Sequence, residues 1–136
     1  MIKRVLLIGF TIFALLVALI VYIHQSSYGE FTINEIRREY KGVIVQIYSS
    51  KSDISPTFIK IRDSSSRFQD LSVLEDVINY VELGDSLIKP KNENVLMIKR
   101  NGKTKTFFYS IISEKLRKHR KFPDEWRDKW LGDLPN

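Results

Sequence analysis

A chain of 136 residues has room for one small domain, and the absence of cysteine excludes a disulfide framework, a thiolate metal site, a cysteine nucleophile and a lipid-modified cysteine. The net charge of +6 divides evenly, +2 each over residues 1–29, 30–112 and 113–136, so no part is strongly basic overall. Once the apolar N-terminal stretch is set aside, what remains suits a small barrel and is too short for an enzyme with helices on both faces of a sheet.

From Val5 to Ile23 the sequence is an uncharged run of 19 residues, about 28 Å long as a helix and close to the hydrocarbon thickness of a bilayer. Lys3 and Arg4 precede it, and apart from His24 no basic side chain follows until Arg37, so the positive-inside rule places residues 1–4 in the cytoplasm and the domain outside it. The expectation is a transmembrane helix over 5–23, a signal-anchor of a single-pass inner-membrane protein whose C-terminal domain is exported to the periplasm. Tyr22 fits an interfacial anchor, and Ala14 with Ala18 forms a small-xxx-small pair suited to close helix approach. The rival reading is a cleaved signal peptide, with small residues around Ser27-Tyr28-Gly29.

After a linker at 24–30, Thr32 and Glu35 have the spacing of a capping box and Phe31 and Ile36 that of a hydrophobic staple, which predicts a short helix over about Ile33–Tyr40, closing at Gly42. Val43–Tyr48 is rich in β-branched residues and predicts a first strand. Ser49–Pro56 is a polar turn, Thr57–Arg62 alternates as a second strand, and Arg67–Leu71 returns as a third after Asp63-Ser64-Ser65-Ser66. Ser72 and Glu75 form another capping-box pattern, with Leu74, Val77, Ile78 and Val81 at helical spacing behind it.

After Gly84 the pattern returns to β: a short piece at Ser86–Lys89, then Asn94–Arg100 and Lys103–Ile112 around Asn101-Gly102, whose two positions suit a type I′ hairpin turn. In that register Leu96 faces Phe107, Val95 faces Phe108, and Arg100 opposes Lys103. Three strands, a helix and a closing hairpin predict a mainly-β (β+α) domain over 31–112: a small five-stranded OB-like or SH3-like barrel with a helix between strands 3 and 4.

Gly84-Asp85-Ser86-Leu87 resembles the name motif of the GDSL esterases, a resemblance that implies a serine nucleophile served by the histidine of an Asp-x-x-His motif. Neither His24 nor His119 has an aspartate three positions before it, which leaves hydrolysis the weakest reading. The longer stretch Gly84-Asp85-Ser86-Leu87-Ile88-Lys89 before the Val95–Tyr109 hairpin is similar to a turn in small membrane-anchored bacterial proteins; this resemblance implies an anchored domain and no activity. Two distant histidines and scattered acids form no metal-ligand set, and neither a cofactor nor a catalytic residue is expected.

Nine cations crowd residues 99–121 against one acid, Glu114: Lys99, Arg100, Lys103, Lys105, Lys115, Arg117, Lys118, Arg120 and Lys121. Solvated hairpin and tail faces account for such a cluster, and so does an anionic surface, lipid headgroups or polysaccharide. In the tail over 113–136, Pro123, the acids after it and Gly132 predict a short capped helix that puts Trp126 and Trp130 on one face, either docked on the domain's own core or presented as an interface. The functional expectation is a non-enzymatic binding or assembly module anchored in the membrane, with a membrane protein as a possible partner and nucleic acid not expected. The alternative is an OB-like domain that binds an anionic surface through the basic hairpin and tail.

Overall fold

The computed structural model describes residues 2–50 and 56–132, with the side chains of all of these except 2–8, 24–26 and 28. The expected turn at Ser49–Pro56 falls largely outside them, as do the side chains of Lys3, Arg4 and His24.

One helix, α1 (Ile2–Arg37), runs without a break through the stretch where a linker and a second helix were expected. Thr32 and Glu35 therefore cap nothing. Thr32 is buried inside the helix, and Glu35 accepts hydrogen bonds from the hydroxyls of Tyr40 (2.8 Å) and Tyr109 (3.0 Å). Among the described residues no helix is long and apolar enough to cross a membrane. This overturns the transmembrane helix, and with it the signal-anchor, the single-pass inner-membrane location and the periplasmic placement derived from it.

The sheet also differs from expectation. It has six antiparallel strands: β1 (Tyr40–Tyr48), β2 (Phe58–Arg62), β3 (Phe68–Ser72), β4 (Ser86–Lys89), β5 (Val95–Arg100) and β6 (Lys103–Phe108). Their order is β3-β2-β1-β4-β5-β6, an open sheet with β3 and β6 at its edges, which corrects the five-stranded OB-like or SH3-like β-barrel. The sixth strand is the short piece Ser86–Lys89, which pairs with β1 on one side and β5 on the other. A four-residue segment carries too little alternation to announce itself as a central strand, yet Leu87 and Lys89 are both wholly buried.

β1 serves a neighbour on each edge: Tyr40–Val43 pair with β4, while Val43–Tyr48 pair with β2 in a register that shifts between Ile44 and Gln46. Such a bulge bends the strand and strengthens its twist. Gly42 lies inside β1 and ends no helix. A Cβ there would stand 2.6 Å from the carbonyl oxygen of Arg62. The β5–β6 hairpin has the expected register, Leu96 opposite Phe107 and Arg100 opposite Lys103, with φ of 48° at Asn101 and 77° at Gly102 as a type I′ turn requires.

α2 (Glu75–Ile78) follows β3, but its N-cap is Leu74 and no side chain caps it, so the Ser72/Glu75 box does not form. With Val77 and Val81 it covers the inner sheet face, whose buried residues include Ile44, Ile59, Ile61, Leu71, Leu87, Leu96, Ile98 and Phe107. A second cluster joins Ile33 and Ile36 of α1 to Leu116, Phe122 and Trp126 of the tail. Leu116 lies in α3 (Glu114–Arg117), whose N-cap Ser113 accepts the Leu116 N–H. The expected tail helix is a single 3₁₀ turn, Asp124–Trp126.

Lys89 ties helix to sheet. Its side chain is wholly buried, and Nζ donates to the carbonyls of Ile36 (2.7 Å), Arg38 (2.8 Å) and Pro90 (3.2 Å), where a cation complements the negative end of α1.

Candidate functional site

Strand alternation sorts β1, β2, β4 and β5 into an apolar inner face and a polar outer one. On the outer face one rung crosses four strands: Arg62 opposes Val43, Val43 opposes Ser86, and Ser86 opposes Lys99. Neighbouring strands lie about 4.8 Å apart, so the Arg62 and Lys99 backbones are separated by about 14 Å. Lys41, opposite Ile88, stands on the same face two residues before Val43. An open groove of about 910 Å³ runs over these residues, with Ser64 and Ser66 of the β2–β3 turn at one margin. An adjoining groove of about 550 Å³ shares Ser86 and Lys99 and reaches the hairpin tip at Asn101 and Gly102.

Three cations thus line the first groove beside one acid, Asp63. That acid is committed: its carboxylate accepts the backbone N–H of Ser65 (2.8 Å) and of Arg67 (3.0 Å) and pairs with the Arg67 guanidinium at 2.9 Å, contacts that hold its pKa below the ordinary range. Among the described residues Lys41, Arg62 and Lys99 have no carboxylate partner, and all three are exposed. Lys60, also on the outer face, is instead engaged with Asp70 at 3.8 Å and lies over the Tyr48 ring.

The basic cluster read from the sequence does not assemble into one surface. Lys99 joins the groove. Arg100 binds Asp85 through Nε (2.7 Å) and Nη2 (2.6 Å), Glu82 through Nη1 (2.7 Å) and the Tyr80 carbonyl. Arg117 donates to the carbonyls of Trp126, Arg127, Lys129 and Trp130, so its charge closes the tail on itself. Lys121 pairs with Glu30 at 2.8 Å, lowering that carboxyl's pKa, and Lys118 pairs with Glu114 at 3.3 Å. Lys105 sits 4.5 Å from the Tyr80 ring centroid, while Lys103, Lys115 and Arg120 are exposed along the hairpin and tail. Trp126 is buried against the end of α1, and Trp130 is half-buried beside it with ring centroids 5.6 Å apart.

In the Gly84-Asp85-Ser86-Leu87 stretch Gly84 takes a left-handed φ of 93°, Asp85 receives Arg100, Ser86 faces outward and Leu87 fills the core. His119 packs against Gly29 of α1, where an added Cβ would come within 3.1 Å of the ring, and its Nδ1 accepts the Lys121 N–H. Among the described residues no three His, Asp or Glu side chains gather as a metal site. Lys41 and Arg62 were missed in the sequence because each reads as an isolated charge, Lys41 at the end of an expected helix and Arg62 at the end of a strand. The alternation Ile59-Lys60-Ile61-Arg62 is the signal that put Arg62 on the outer face. No family model, curated protein or solved structure matches the chain.

Proposed function

We propose that the domain is a binding module, not a catalyst, and that it recognises an anionic ligand on the outer face of its sheet. The observation that carries this reading is a set of three cations without carboxylate partners among the described residues, Lys41, Arg62 and Lys99, arrayed over one groove with Ser86 between them and Ser64 and Ser66 at its margin. Arg38, Lys60, Arg67, Lys89 and Arg100 are consumed by ion pairs or carbonyls, whereas these three share one groove and leave their field for a ligand. The hydroxyls of Ser64, Ser66 and Ser86 add donors for an oxyanion.

Titration of the full chain with inorganic sulfate and with heparin, followed through the backbone amide resonances, tests the proposal. Shifts centred on Val43, Ser86 and Lys99, and abolished in the combined Lys41→Gln, Arg62→Gln, Lys99→Gln variant, are expected. Shifts confined to residues 115–121 would instead assign anion binding to the tail.

A further inference from the structure

Resting on that anion-binding reading, we infer that the ligand is a linear acidic polysaccharide laid across the strands, with its charges met one at a time by Arg62, Lys41 and Lys99. The spacing argues for a chain over a single ion. Arg62 and Lys99 stand on strands three intervals apart, about 14 Å between backbones, so drawing both onto one oxyanion requires two long side chains to lie flat toward each other and crowds like charges. A polymer of uronate or sulfated sugars carries its charges at intervals comparable to one or two strand spacings and satisfies each cation where it stands.

The floor between the cations supports the same class of ligand. Val43 is 37% exposed and Ile88 half-buried, an aliphatic strip on which the apolar face of a pyranose ring can rest while hydroxyls meet Ser86 and Ser64. Among the described residues no aromatic ring lines the groove itself, Phe68 standing beyond Arg62 on the edge strand, so the groove lacks the row of stacking platforms by which single-stranded nucleic acid is held. The turns that flank it, Ser64–Ser66 and Asn101-Gly102, are polar, and the exposed apolar side chains near them, Phe68 and Leu83, lie on separate elements and form no continuous wedge for a lipid headgroup layer. The adjoining groove, entered past Ser86 and Lys99, reaches the hairpin tip, and its two acids, Glu82 and Asp85, are both held by Arg100.

The test uses the full chain with size-defined heparin and oligogalacturonate fragments, inorganic sulfate, vesicles containing phosphatidylglycerol and a single-stranded oligonucleotide, at several salt concentrations. Affinity should rise at least about tenfold from the disaccharide to the octasaccharide and then level off. Each of Lys41→Gln, Arg62→Gln and Lys99→Gln should weaken the octasaccharide and reduce the slope of log affinity against log salt by about one contact. Lys118→Gln with Arg120→Gln should leave both unchanged, which separates the groove from general attraction to a basic chain. Sulfate binding as tightly as the octasaccharide would overturn the polymer and leave the anion site standing. Preference for vesicles or oligonucleotide would overturn the polysaccharide in favour of that ligand. A folded protein that binds none of the probes overturns both readings.

Discussion

The guanidinium of Arg100 grips the carboxylate of Asp85 through two parallel hydrogen bonds, Nε to Oδ1 at 2.7 Å and Nη2 to Oδ2 at 2.6 Å. Asp85 is buried and also accepts the Glu82 backbone N–H at 2.9 Å, so the pair locks the turn before β4 onto the end of β5 and sets where Ser86 and Lys99 meet. Arg100→Gln leaves a buried carboxylate without its cation, and a lower urea-unfolding midpoint at pH 7 is expected. Arg100, with the Glu82 N–H, holds the Asp85 pKa below its ordinary value of 3.8. Just below that value the unfolded chain binds the proton first, so the pair's contribution is present above about pH 4 and is lost as pH falls through the folded pKa. Wild type and variant should therefore converge in acid. A difference that persists undiminished at pH 2 would show that the pair is not what the substitution removes.

Lys89 gives the opposite limb of the pH profile. Burial draws its ammonium down from 10.5 to about 8, against the upward pull of Glu35 and Glu93. Between about 8 and 10 an unfolded lysine holds a proton the folded one has released, so stability rises with pH in that window. Above about 10 the trend reverses, because burial raises the pKa of Tyr109 and of Tyr40 and the folded state keeps protons the unfolded chain has lost. Lys89→Met should abolish the rising limb and, by leaving the Ile36 and Arg38 carbonyls without their donor, lower stability at pH 7 by about 1–3 kcal/mol. Thermal unfolding from pH 7 to 10 checks both, and an unchanged rise in the variant would assign it to another group.

Local signals predicted what local chemistry decides. Asn101-Gly102 specified its turn, and the turn specified the register that opposes Leu96 to Phe107, because both positions needed only φ > 0. Capping boxes misled for a complementary reason: Thr32 and Glu35 have the right spacing, but α1 continues through them, and Glu35 is held by Tyr40 and Tyr109, the latter 74 residues away. The central place of β4 depends on partners distant in sequence, Tyr40–Val43 and Met97–Lys99, which no window around Ser86–Lys89 contains. The groove was half legible. Lys99 stood out in a basic run, whereas Lys41 and Arg62 become its neighbours only through pairing on either side of β1.

Trp126 is the anchor of the tail. It lies among Ile33, Ile36, Leu116 and Phe122, edge-on to the Phe122 ring at 6.0 Å, with the Arg37 guanidinium 6.0 Å from its own centroid. Trp126→Ala should cost about 3–5 kcal/mol where the tail unfolds with the domain. Because this cluster is separate from the sheet core, hydrogen exchange in the variant should accelerate over residues 113–130 and in the last turns of α1 while β1, β4 and β5 keep their protection. Trp130→Ala, at a half-buried ring, should have a smaller effect. If removal of the Trp126 ring instead exposed β5 and β6 equally, tail and sheet would form one cooperative unit.

Gly42 connects packing to the proposed ligand site. An added Cβ would lie 2.6 Å from the Arg62 oxygen, 3.0 Å from its carbonyl carbon and 3.2 Å from Ile61 Cβ, all below ordinary contact, and the first two belong to backbone that cannot rotate aside. Gly42→Ala must therefore push β2 away from β1 at the rung where Val43 opposes Arg62. Overpacking of this kind costs about 1–3 kcal/mol. It should also weaken anion binding, since Arg62 moves away from Lys41 and Lys99 while every charge remains. Gly84→Ala is the control: its Cβ meets nothing within 4 Å, so any loss there comes from the left-handed φ of 93°, and it should lower stability without shifting Arg62. Parallel loss of affinity in both variants would mean that stability alone governs binding, whereas loss confined to Gly42→Ala ties the ligand to the spacing between β1 and β2.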